Sequence, residues 1–525
     1  MIRFVRQLSV FCLIALPLGV AAQAAAQNDR NAPLSVIDWL GERPKTPQPT
    51  RKAPVKPDEA PVARTALPPV VTVAPLGKGG PRAIGLVPTK VTGLPQDLWT
   101  GSTAEDIAHQ LDRLPELHLP VAHSLLFTLL LAQATAPQGD AKQGDALALA
   151  RVRTLMDAAA LDPAMSLIEQ AGVETSPDHF GLWMQVSLLL GTEDRACLRL
   201  KDKPFLTTDY GVRILCAARS GEWDTAALTL GSAQALALLP ESDLSLLDRF
   251  LNPDLYEGAA PLPGPREMTP LKFRLLEAIG EPQPTRNLPA AYAVADLRDI
   301  AGWKAQLDAA ERLTRIGALP DNRFLGIYTD REPAASGGVW DRVEALQRFD
   351  TAMSSGNTEA IAKALRPAWR AMQQAETEVT FATLYAEDLQ GTDLTGASAA
   401  LRDRILLLSP LYEQVTSTDT TPAEIAFLSQ IARGEAPKTT PDIPHAQGIS
   451  SAFTTPTPRK GLVEMAQNGQ LGSAILHTIA LLEDGARGDT AALRDAISTL
   501  RALGLVNRVE DEVLQDQNHE HRRHG

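Results

Sequence analysis

The stretch SSGNTEAIAKAL, residues 354–365, indicates how this chain folds. Gly356 follows a polar helix end, Asn357 can cap a new helix through its side chain, and small alanines follow. Glycine tolerates the left-handed conformation in which many helices end, and asparagine is a favoured N-cap. The stretch therefore predicts two helices joined by a tight turn, with alanines that let the pair approach closely.

The same pattern recurs at irregular spacing in three other places. These are RSGEWDTAALTL (219–230), QNGQLGSAILHTIALL (467–482) and ARGDTAALRDAISTLRALG (486–504). Apolar residues elsewhere recur every three or four positions, and no convincing alternating strand pattern occurs. We therefore predict an all-α fold: an irregular α-hairpin repeat array, solenoid-like and tetratricopeptide-like, with a disordered proline-rich N-terminal tether.

The N-terminus has the three parts of a secretory signal. Arg3 and Arg6 form a positive region, residues 8–20 form an apolar region, and the sequence AQAAAQ supplies small residues for cleavage. The apolar run is shorter than the roughly 20 residues that a membrane span needs. We therefore expect a cleaved signal peptide over residues 1–26, a periplasmic location and no transmembrane anchor in the mature chain.

Composition divides the rest of the chain into six segments. They are a short amphipathic docking motif at 27–42, a proline-rich disordered tether at 43–95, an α-helical repeat body at 96–433, a linker at 434–461, a C-terminal helical unit at 462–515 and a disordered tail at 516–525. The tether has too few apolar residues to offset the entropy of ordering it. Its last part mixes β-branched residues with turn formers, and we expect it to lie as an extended strap against the body.

Four large apolar side chains stand out within the docking motif, in SVIDWL (35–40). They are Val36, Ile37, Trp39 and Leu40. With Ser35 as N-cap and Gly41 as the residue after the helix, the motif predicts about one and a half helical turns. Burying the four side chains would contribute roughly 6–10 kcal/mol before the ordering cost is subtracted, which suits reversible docking. The tether averages about 40 Å if flexible, so both the chain's own body and a partner are possible docking sites.

Charge and cysteine content limit the partners and the compartment. The formal net charge of −13 disfavours nucleic acid as a partner, because an acidic surface repels phosphate groups. After signal cleavage two cysteines remain, Cys197 and Cys216. In an oxidising periplasm this pair predicts a disulfide, and two buried thiols acting as small apolar side chains are the alternative.

No motif in the sequence names a reaction. The chain has no G-x-S-x-G elbow, no phosphate-binding Walker loop and no CxxC pair. His118 and His123 lack the spacing of a zinc-protease helix, and the histidines of HEHRRH (519–524) lie in the polar tail. We therefore predict no catalytic residue, no cofactor and no metal ligand. A concave pocket with paired, buried carboxylates would instead favour an enzyme.

Five stretches together resemble a bacterial family of exported, alanine-rich, helical-repeat proteins, sometimes named for antifreeze glycopeptides. The stretches are SVIDWL (35–40), GLPQDLW (93–99), TPLKFRLLEAIGEP (269–282), DNRFLGIYTDREPAASGGVWDRVEALQRF (321–349) and LRALGL (500–505). The resemblance implies a helical fold and export, and it carries no catalytic residue. An ice-binding helix needs threonines in a regular register on one flat face, and this sequence has no such register.

The architecture predicts a non-enzymatic periplasmic scaffold for protein–protein interaction in the cell envelope. A helical-repeat body offers an extended concave surface to a protein or peptide. The alternatives are a cell-wall-acting enzyme or its accessory subunit, and a purely structural envelope protein. The partner that we expect is an envelope protein or peptide.

Overall fold

A computed structural model describes residues 83–418 and 421–505, and these ranges contain twenty-three α-helices. These residues all belong to one unit, Val73–Gly525. They contain isolated β-bridges but no β-strand, so the all-α prediction is confirmed. Among the described helices, none combines the length and the apolar character that crossing a membrane requires.

The first half of the described chain alternates short and medium-length helices. They are α1 (Thr89–Thr92), α2 (Ala104–Leu111), α3 (Pro120–Leu131), α4 (Ala141–Asp157), α5 (Leu161–Ala171), α6 (Pro177–Leu190), α7 (Asp194–Asp202), α8 (Tyr210–Arg219), α9 (Trp223–Ala235), α10 (Glu241–Leu251), α11 (Pro270–Ala278) and α12 (Ala290–Ala293). Short 3₁₀ turns lie among them at Pro204–Leu206, Pro253–Tyr256, Thr285–Asn287 and Val294–Leu297.

The second half begins with long helices and ends with a helical hairpin. Its helices are α13 (Trp303–Arg315), α14 (Asp321–Thr329), α15 (Val339–Ser355), α16 (Thr358–Ala375), α17 (Glu378–Gln390), α18 (Gly396–Leu407), α19 (Ala423–Ala432), α20 (Ala446–Thr454), α21 (Lys460–Gln467), α22 (Leu471–Ala486) and α23 (Thr490–Ala502). A 3₁₀ turn at Tyr412–Gln414 precedes α19.

The predicted turn at Gly356 joins α15 to α16. Gly356 has a φ of 64°, and the Asn357 side chain accepts the backbone amide of Ala360 at 2.9 Å. The glycines of the other three predicted turns also have positive φ, with values of 78° at Gly221, 76° at Gly469 and 105° at Gly488. At each of these turns the two joined helices pack against each other. The hairpins are therefore present, while their stacking as a solenoid stays a prediction.

A buried carboxylate ties three helices of the second half together. Glu311 on α13 accepts hydrogen bonds from both Arg342 Nε and Arg342 Nη2 at 2.8 and 2.7 Å, and from the Tyr328 hydroxyl at 2.6 Å. Arg342 lies on α15 and Tyr328 on α14. Burial first, and the nearby Glu311 charge second, raise the pKa of Tyr328 well above its ordinary value. The phenol therefore stays neutral and donates its hydrogen bond to Glu311, which holds α13, α14 and α15 together.

An extended strap precedes the first helices. The amides of Leu86 and Val87 donate to the carbonyl of Leu131 at 2.8 and 2.9 Å, and Arg151 donates to the carbonyl of Ile84 at 2.7 Å. Burial lowers the pKa of Arg151 to about 10, so its guanidinium remains charged at neutral pH. The tether expected at 43–95 is therefore too long at its C-terminal end. Backbone pairing and the burial of Ile84 attach residues 83–95 to the body.

The linker expected at 434–461 contains a helix that the sequence analysis missed. This helix, α20, buries Ile449 and Phe453 and packs against α23. Prolines before and after α20 interrupt the apolar pattern, which explains why no helix was predicted there.

The C-terminal hairpin also packs against the first helices of the body. Helix α22 lies against both α2 and α3. The amide of Gly472 donates to the carbonyl of Leu98 at 3.0 Å, and the amide of Gly101 donates to the carbonyl of Gly469 at 2.8 Å. The segment expected as a separate unit at 462–515 thus contacts the start of the folded chain as far as the structure describes it.

Candidate functional site

The two cysteines predicted to pair form a disulfide. Cys197 on α7 and Cys216 on α8 are both buried, with Cα atoms 4.8 Å apart. The bond joins two consecutive helices. The second, α8, begins after Asp209, whose side chain accepts a hydrogen bond from the backbone amide of Val212 at 3.1 Å. The other predicted site residues, Val36, Ile37, Trp39 and Leu40, lie outside the described residues.

The main concave surface near this hairpin is a groove of about 680 Å³ between α6, α8, α10 and α11. We call it the methionine–leucine groove, after the side chains that dominate its lining. These include Met184, Leu188, Leu238, Leu239, Met268 and Leu271. The methionine side chain adapts to the shape of an apolar ligand, because it is unbranched and flexible.

Helix α6 forms the floor of the methionine–leucine groove. Phe180, Met184 and Leu188 follow each other at four-residue spacing and therefore lie on one face of the helix. Gly181 belongs to the same lining, and a Cβ placed there would meet no atom within 4 Å. The glycine at this position therefore leaves room in the groove that a larger side chain would occupy.

The first turns of α8 and α11 form the opposite edge. Thr269 caps α11 by accepting the amide of Lys272 at 3.3 Å. Leu271 lies so close to Gly211, at the start of α8, that a Cβ there would be 2.8 Å from Leu271 Cδ2. The contact between Gly211 and Leu271 thus depends on the absence of a side chain at Gly211.

The rim of the groove is acidic. Lys272 is the basic residue of the lining, and its Nζ is 2.9 Å from Asp243 Oδ1. Because Lys272 is paired with Asp243, the exposed carboxylates of Asp209 and Glu267 give the rim a negative charge. An acidic rim attracts a basic partner and repels an acidic one.

Tyr292 supports the loop at this rim from inside. Its hydroxyl donates to the carbonyl of Met268 at 2.7 Å, and its ring packs edge-on against Phe273 with centroids 5.2 Å apart. Burial, with a smaller effect of the Glu267 charge, raises the pKa of Tyr292 to about 12. The phenol is therefore a neutral donor that fixes Met268 at the groove.

Helix α9 and the residue after it carry exposed apolar side chains. This helix exposes Trp223 and Leu228 at 52% and 74%, and Leu236 directly after it at 68%. Asp224 is the single charged residue of α9. Leu238 and Leu239, which follow, line the groove itself. Exposed apolar residues of this size are typical of a protein interaction surface.

The polar groups of the groove include three carboxylates, Lys272 and Tyr210. Among the described residues that line it are carboxylates and threonine hydroxyls, but no histidine and no cysteine. In the ranges that the structure describes, no group of three or more His, Cys, Asp and Glu is arranged to hold a metal ion.

A second cavity of about 690 Å³, the α3 cleft, contains the carboxylates that an enzyme would need. Asp321 and Glu378 are the first residues of the neighbouring helices α14 and α17. Thr380, on α17, donates to Asp321 Oδ1 at 2.7 Å, which places Asp321 on the α17 wall. The lining contributed by α3 has no carboxylate. A glycosidase uses two carboxylates that flank the bond to be broken, and here both belong to one wall.

Neither concave surface could be predicted from the sequence, because each is lined by segments far apart in the chain. The groove draws on residues between 180 and 275, and the cleft on residues between 87 and 412. One local signal was available: Gly181 lies within α6 without ending the helix.

Comparison of this chain with models of protein families, with curated proteins and with solved structures finds no match.

Proposed function

We propose that this protein is a non-enzymatic helical scaffold of the cell envelope whose methionine–leucine groove binds an amphipathic helix of a partner protein. The observation that carries the proposal is the groove itself, an open channel in which apolar side chains, among them Met268 and Leu271, alternate with polar ones. Helices are recognised by grooves of this kind, which take apolar side chains spaced three and four residues apart.

Charge specifies the partner further. The exposed Asp209 and Glu267 at the rim, and the formal net charge of −13, favour a helix that carries lysine or arginine beside its apolar face. Electrostatic complementarity of this kind contributes to partner choice and to the rate of association. The partner we propose is therefore a basic amphipathic helix with leucine or methionine anchors.

The periplasmic location is part of the proposal. The signal-like residues 1–26 and the paired Cys197 and Cys216 support it, because disulfides persist in oxidising compartments. The resemblance to exported, alanine-rich, helical-repeat proteins supports the same location and the same kind of fold. A structural envelope protein without a specific ligand is the alternative that the groove makes less favourable.

A designed peptide tests the groove directly. The probe is a fluorescent helical peptide of leucine and lysine, compared with the same peptide carrying glutamate in place of lysine. We expect the lysine peptide to bind and the glutamate peptide to bind at least about ten-fold more weakly, since the rim is acidic. Fluorescence anisotropy measures both dissociation constants.

A blocking variant locates the binding. Gly181→Leu fills the groove, and Gly326→Leu places the same side chain at another open helical glycine, on α14. We expect Gly181→Leu to weaken binding of the lysine peptide by about ten-fold or more. Gly326→Leu should leave its dissociation constant unchanged. Equal binding by Gly181→Leu and the unaltered protein would overturn the assignment of the groove.

A further inference from the structure

Large apolar side chains are exposed mainly in one part of the described chain. Nine such side chains are exposed among the described residues, and seven of them lie between positions 198 and 255. The seven are Leu198, Phe205, Trp223, Leu228, Leu236, Leu238 and Leu255. Helices α7 to α10, which carry most of them, each pack against the next. Exposed apolar side chains concentrated in this way mark a surface for contact with a protein or a membrane.

Three of these side chains surround Lys201. Leu198 and Lys201 are three residues apart in α7 and therefore lie on one face of the helix. Phe205 is four residues after Lys201, in the turn that follows α7. Lys201 Nζ is 2.7 Å from Glu222 Oε1, and Trp223 directly follows Glu222. We call the exposed face of α7, together with Phe205 and Trp223, the α7 surface.

The cations of the α7 surface extend farther into the solvent than the carboxylates that pair with them. The side chains of the cations are 43–69% exposed, and those of their partners are 32–39% exposed. The cations are Arg195, Arg199, Lys201 and Lys203, and the partners are Glu169, Glu174 and Glu222. The outer layer of this surface is therefore cationic, although the formal net charge of the chain is −13.

The ion pairs of this layer can be exchanged for other anions. Exposed ion pairs contribute little to stability, because water and salt screen them. From Asp194 to Phe205 the chain has four cations and two carboxylates. Asp194 accepts a hydrogen bond from Arg219 Nε at 2.6 Å, and Asp202 is exposed. A second surface with closely spaced anions can therefore replace the protein's own carboxylates as the partner of the cations.

A hollow of about 480 Å³ lies in the α7 surface. Arg195 and Arg199 are four residues apart on one face of α7, and both line the hollow together with Leu198. The carboxylates of the lining are Glu169, which pairs with Arg195, and Asp202. Guanidinium groups bind phosphate oxygens through two N–H donors. Two arginines beside a leucine therefore match a phosphate group that is attached to an apolar chain.

We propose that the α7 surface docks on a membrane that contains anionic phospholipid. Arg195 and Arg199 would bind lipid phosphates, while Phe205 and Trp223 enter the boundary between headgroups and acyl chains. Aromatic residues beside lysine and arginine are typical of protein segments that lie in this boundary. The attraction between basic residues and anionic lipids brings such a surface to the membrane. This peripheral contact would place the proposed scaffold at the membrane surface and would leave its groove free for a partner.

Sedimentation of the purified protein with vesicles tests the lipid class. Vesicles of phosphatidylcholine alone are compared with vesicles in which about a third of the lipid is phosphatidylglycerol. We expect about ten-fold more protein to sediment with the anionic vesicles, since the zwitterionic ones offer no net negative charge. About 1 M sodium chloride should weaken this binding several-fold, because it shortens the Debye length to about 3 Å.

Two outcomes of the vesicle experiment would overturn the proposal. One is equal sedimentation with the two kinds of vesicle, or none with either. The other is complete competition by soluble polyphosphate at the same concentration of phosphate, which would assign the cations to a soluble anion.

Substitutions on the α7 surface locate the contact. We expect the double variant Arg195→Gln, Arg199→Gln and the single variant Phe205→Ser each to weaken sedimentation with anionic vesicles about five-fold or more. Arg348→Gln and Ile300→Ser are the matched controls and should bind as before, since their side chains are equally exposed, at 72% and 76%, on other segments. Circular dichroism should be unchanged in all four. Full binding by the arginine variant or by Phe205→Ser would overturn the site.

Tryptophan fluorescence gives a second readout. Trp223 is 52% exposed, so its emission should shift to shorter wavelength when anionic vesicles remove it from water. Trp223→Phe keeps an apolar ring and should lose that shift. A shift that is absent in the unaltered protein, or that survives in Trp223→Phe, would overturn the placement of Trp223. Since Gly181→Leu should leave vesicle binding unchanged, the α7 surface and the groove can fail independently.

Discussion

The carboxylate of Glu483 accepts the backbone amide of Leu119 at 3.1 Å, although the two residues are 364 positions apart. The same Oε1 atom accepts the amide of His118 at 2.9 Å. Glu483 is fully buried on α22, and Leu119 is the N-cap of α3. The N-terminus of α3 is thus capped by a side chain from the last helical hairpin, and the helix dipole favours the negative charge there.

Loss of this cap should destabilise the fold. We expect Glu483→Ala to lower the free energy of unfolding by about 2–4 kcal/mol, because two amides lose their acceptor in a buried site. Glu483→Gln keeps an acceptor oxygen and should lose less. Urea denaturation followed by circular dichroism measures both variants. Equal losses for alanine and glutamine would show that the cap is not the source of the stability.

Contact between Trp99 and Gly472 should be equally sensitive. A Cβ at Gly472 would lie 2.1 Å from Trp99 Cζ3. We therefore expect Gly472→Ala to lower the free energy of unfolding by about 1–3 kcal/mol, since the buried indole must shift. Gly231→Ala, at an open position of α9, should be neutral or stabilising by up to about 1 kcal/mol. If the two variants have equal melting temperatures, the predicted clash does not occur.

Reduction of the disulfide should lower the stability of the fold, because the bond shortens the free loop of the unfolded chain. Cys197 and Cys216 are 19 positions apart, and loop-closure entropy gives about 3 kcal/mol for such a loop. We expect a reductant to lower the urea midpoint of the unaltered chain and to leave the double variant Cys197→Ala, Cys216→Ala unaffected. Mass mapping of the exported protein without reductant should find the two cysteines in one cross-linked peptide. Two free thiols there would refute the bridge.

His123 should make stability depend on pH. Burial lowers its pKa below 6.5, while the hydrogen bond to Leu117 and the charge of Glu483 oppose that shift and His118 adds to it. As the pH falls below about 6.5, the unfolded chain therefore binds a proton before the folded chain does. The contribution of His123 to stability is complete above that pH and is lost progressively between 6.5 and the lower, folded pKa.

Urea denaturation near pH 7.5 and near pH 5.5 checks this sign. We expect the unaltered chain to be less stable at the lower pH, and His123→Phe to show a smaller difference between the two conditions. The control is His109→Gln on the exposed side of α2, which should keep the dependence of the unaltered chain. A pH difference that survives in His123→Phe would assign it to other groups.

The docking motif at residues 27–42 lies outside the described residues and stays a hypothesis. We expect its deletion to change the set of envelope proteins that the mature protein captures, because Trp39 and its apolar neighbours would be missing. Pull-down from envelope extract, followed by mass spectrometry, compares the two forms. An unchanged list of partners would contradict a docking role.

Local features of the fold were predictable because their causes are local. Gly356 ends one helix through its backbone conformation. Asn357 begins the next by a hydrogen bond to Ala360, three positions further on. The expected tether and linker were less accurate, since residues 83–95 and α20 are stabilised by partners elsewhere in the chain. Proline content indicates where regular structure is interrupted, but not whether distant residues bury what lies between.

The order of residues is enough to predict that this chain is helical, where its hairpins turn and which cysteines can pair. Those properties follow from periodicity, from glycine conformation and from residue counting. Three other features appear only in the folded chain: Glu483 caps α3, Gly181 leaves a groove open, and Thr380 donates a hydrogen bond to Asp321. Each of these depends on residues far apart in the chain that packing brings together. A short-range sequence pattern does not indicate which distant side chains will be in contact.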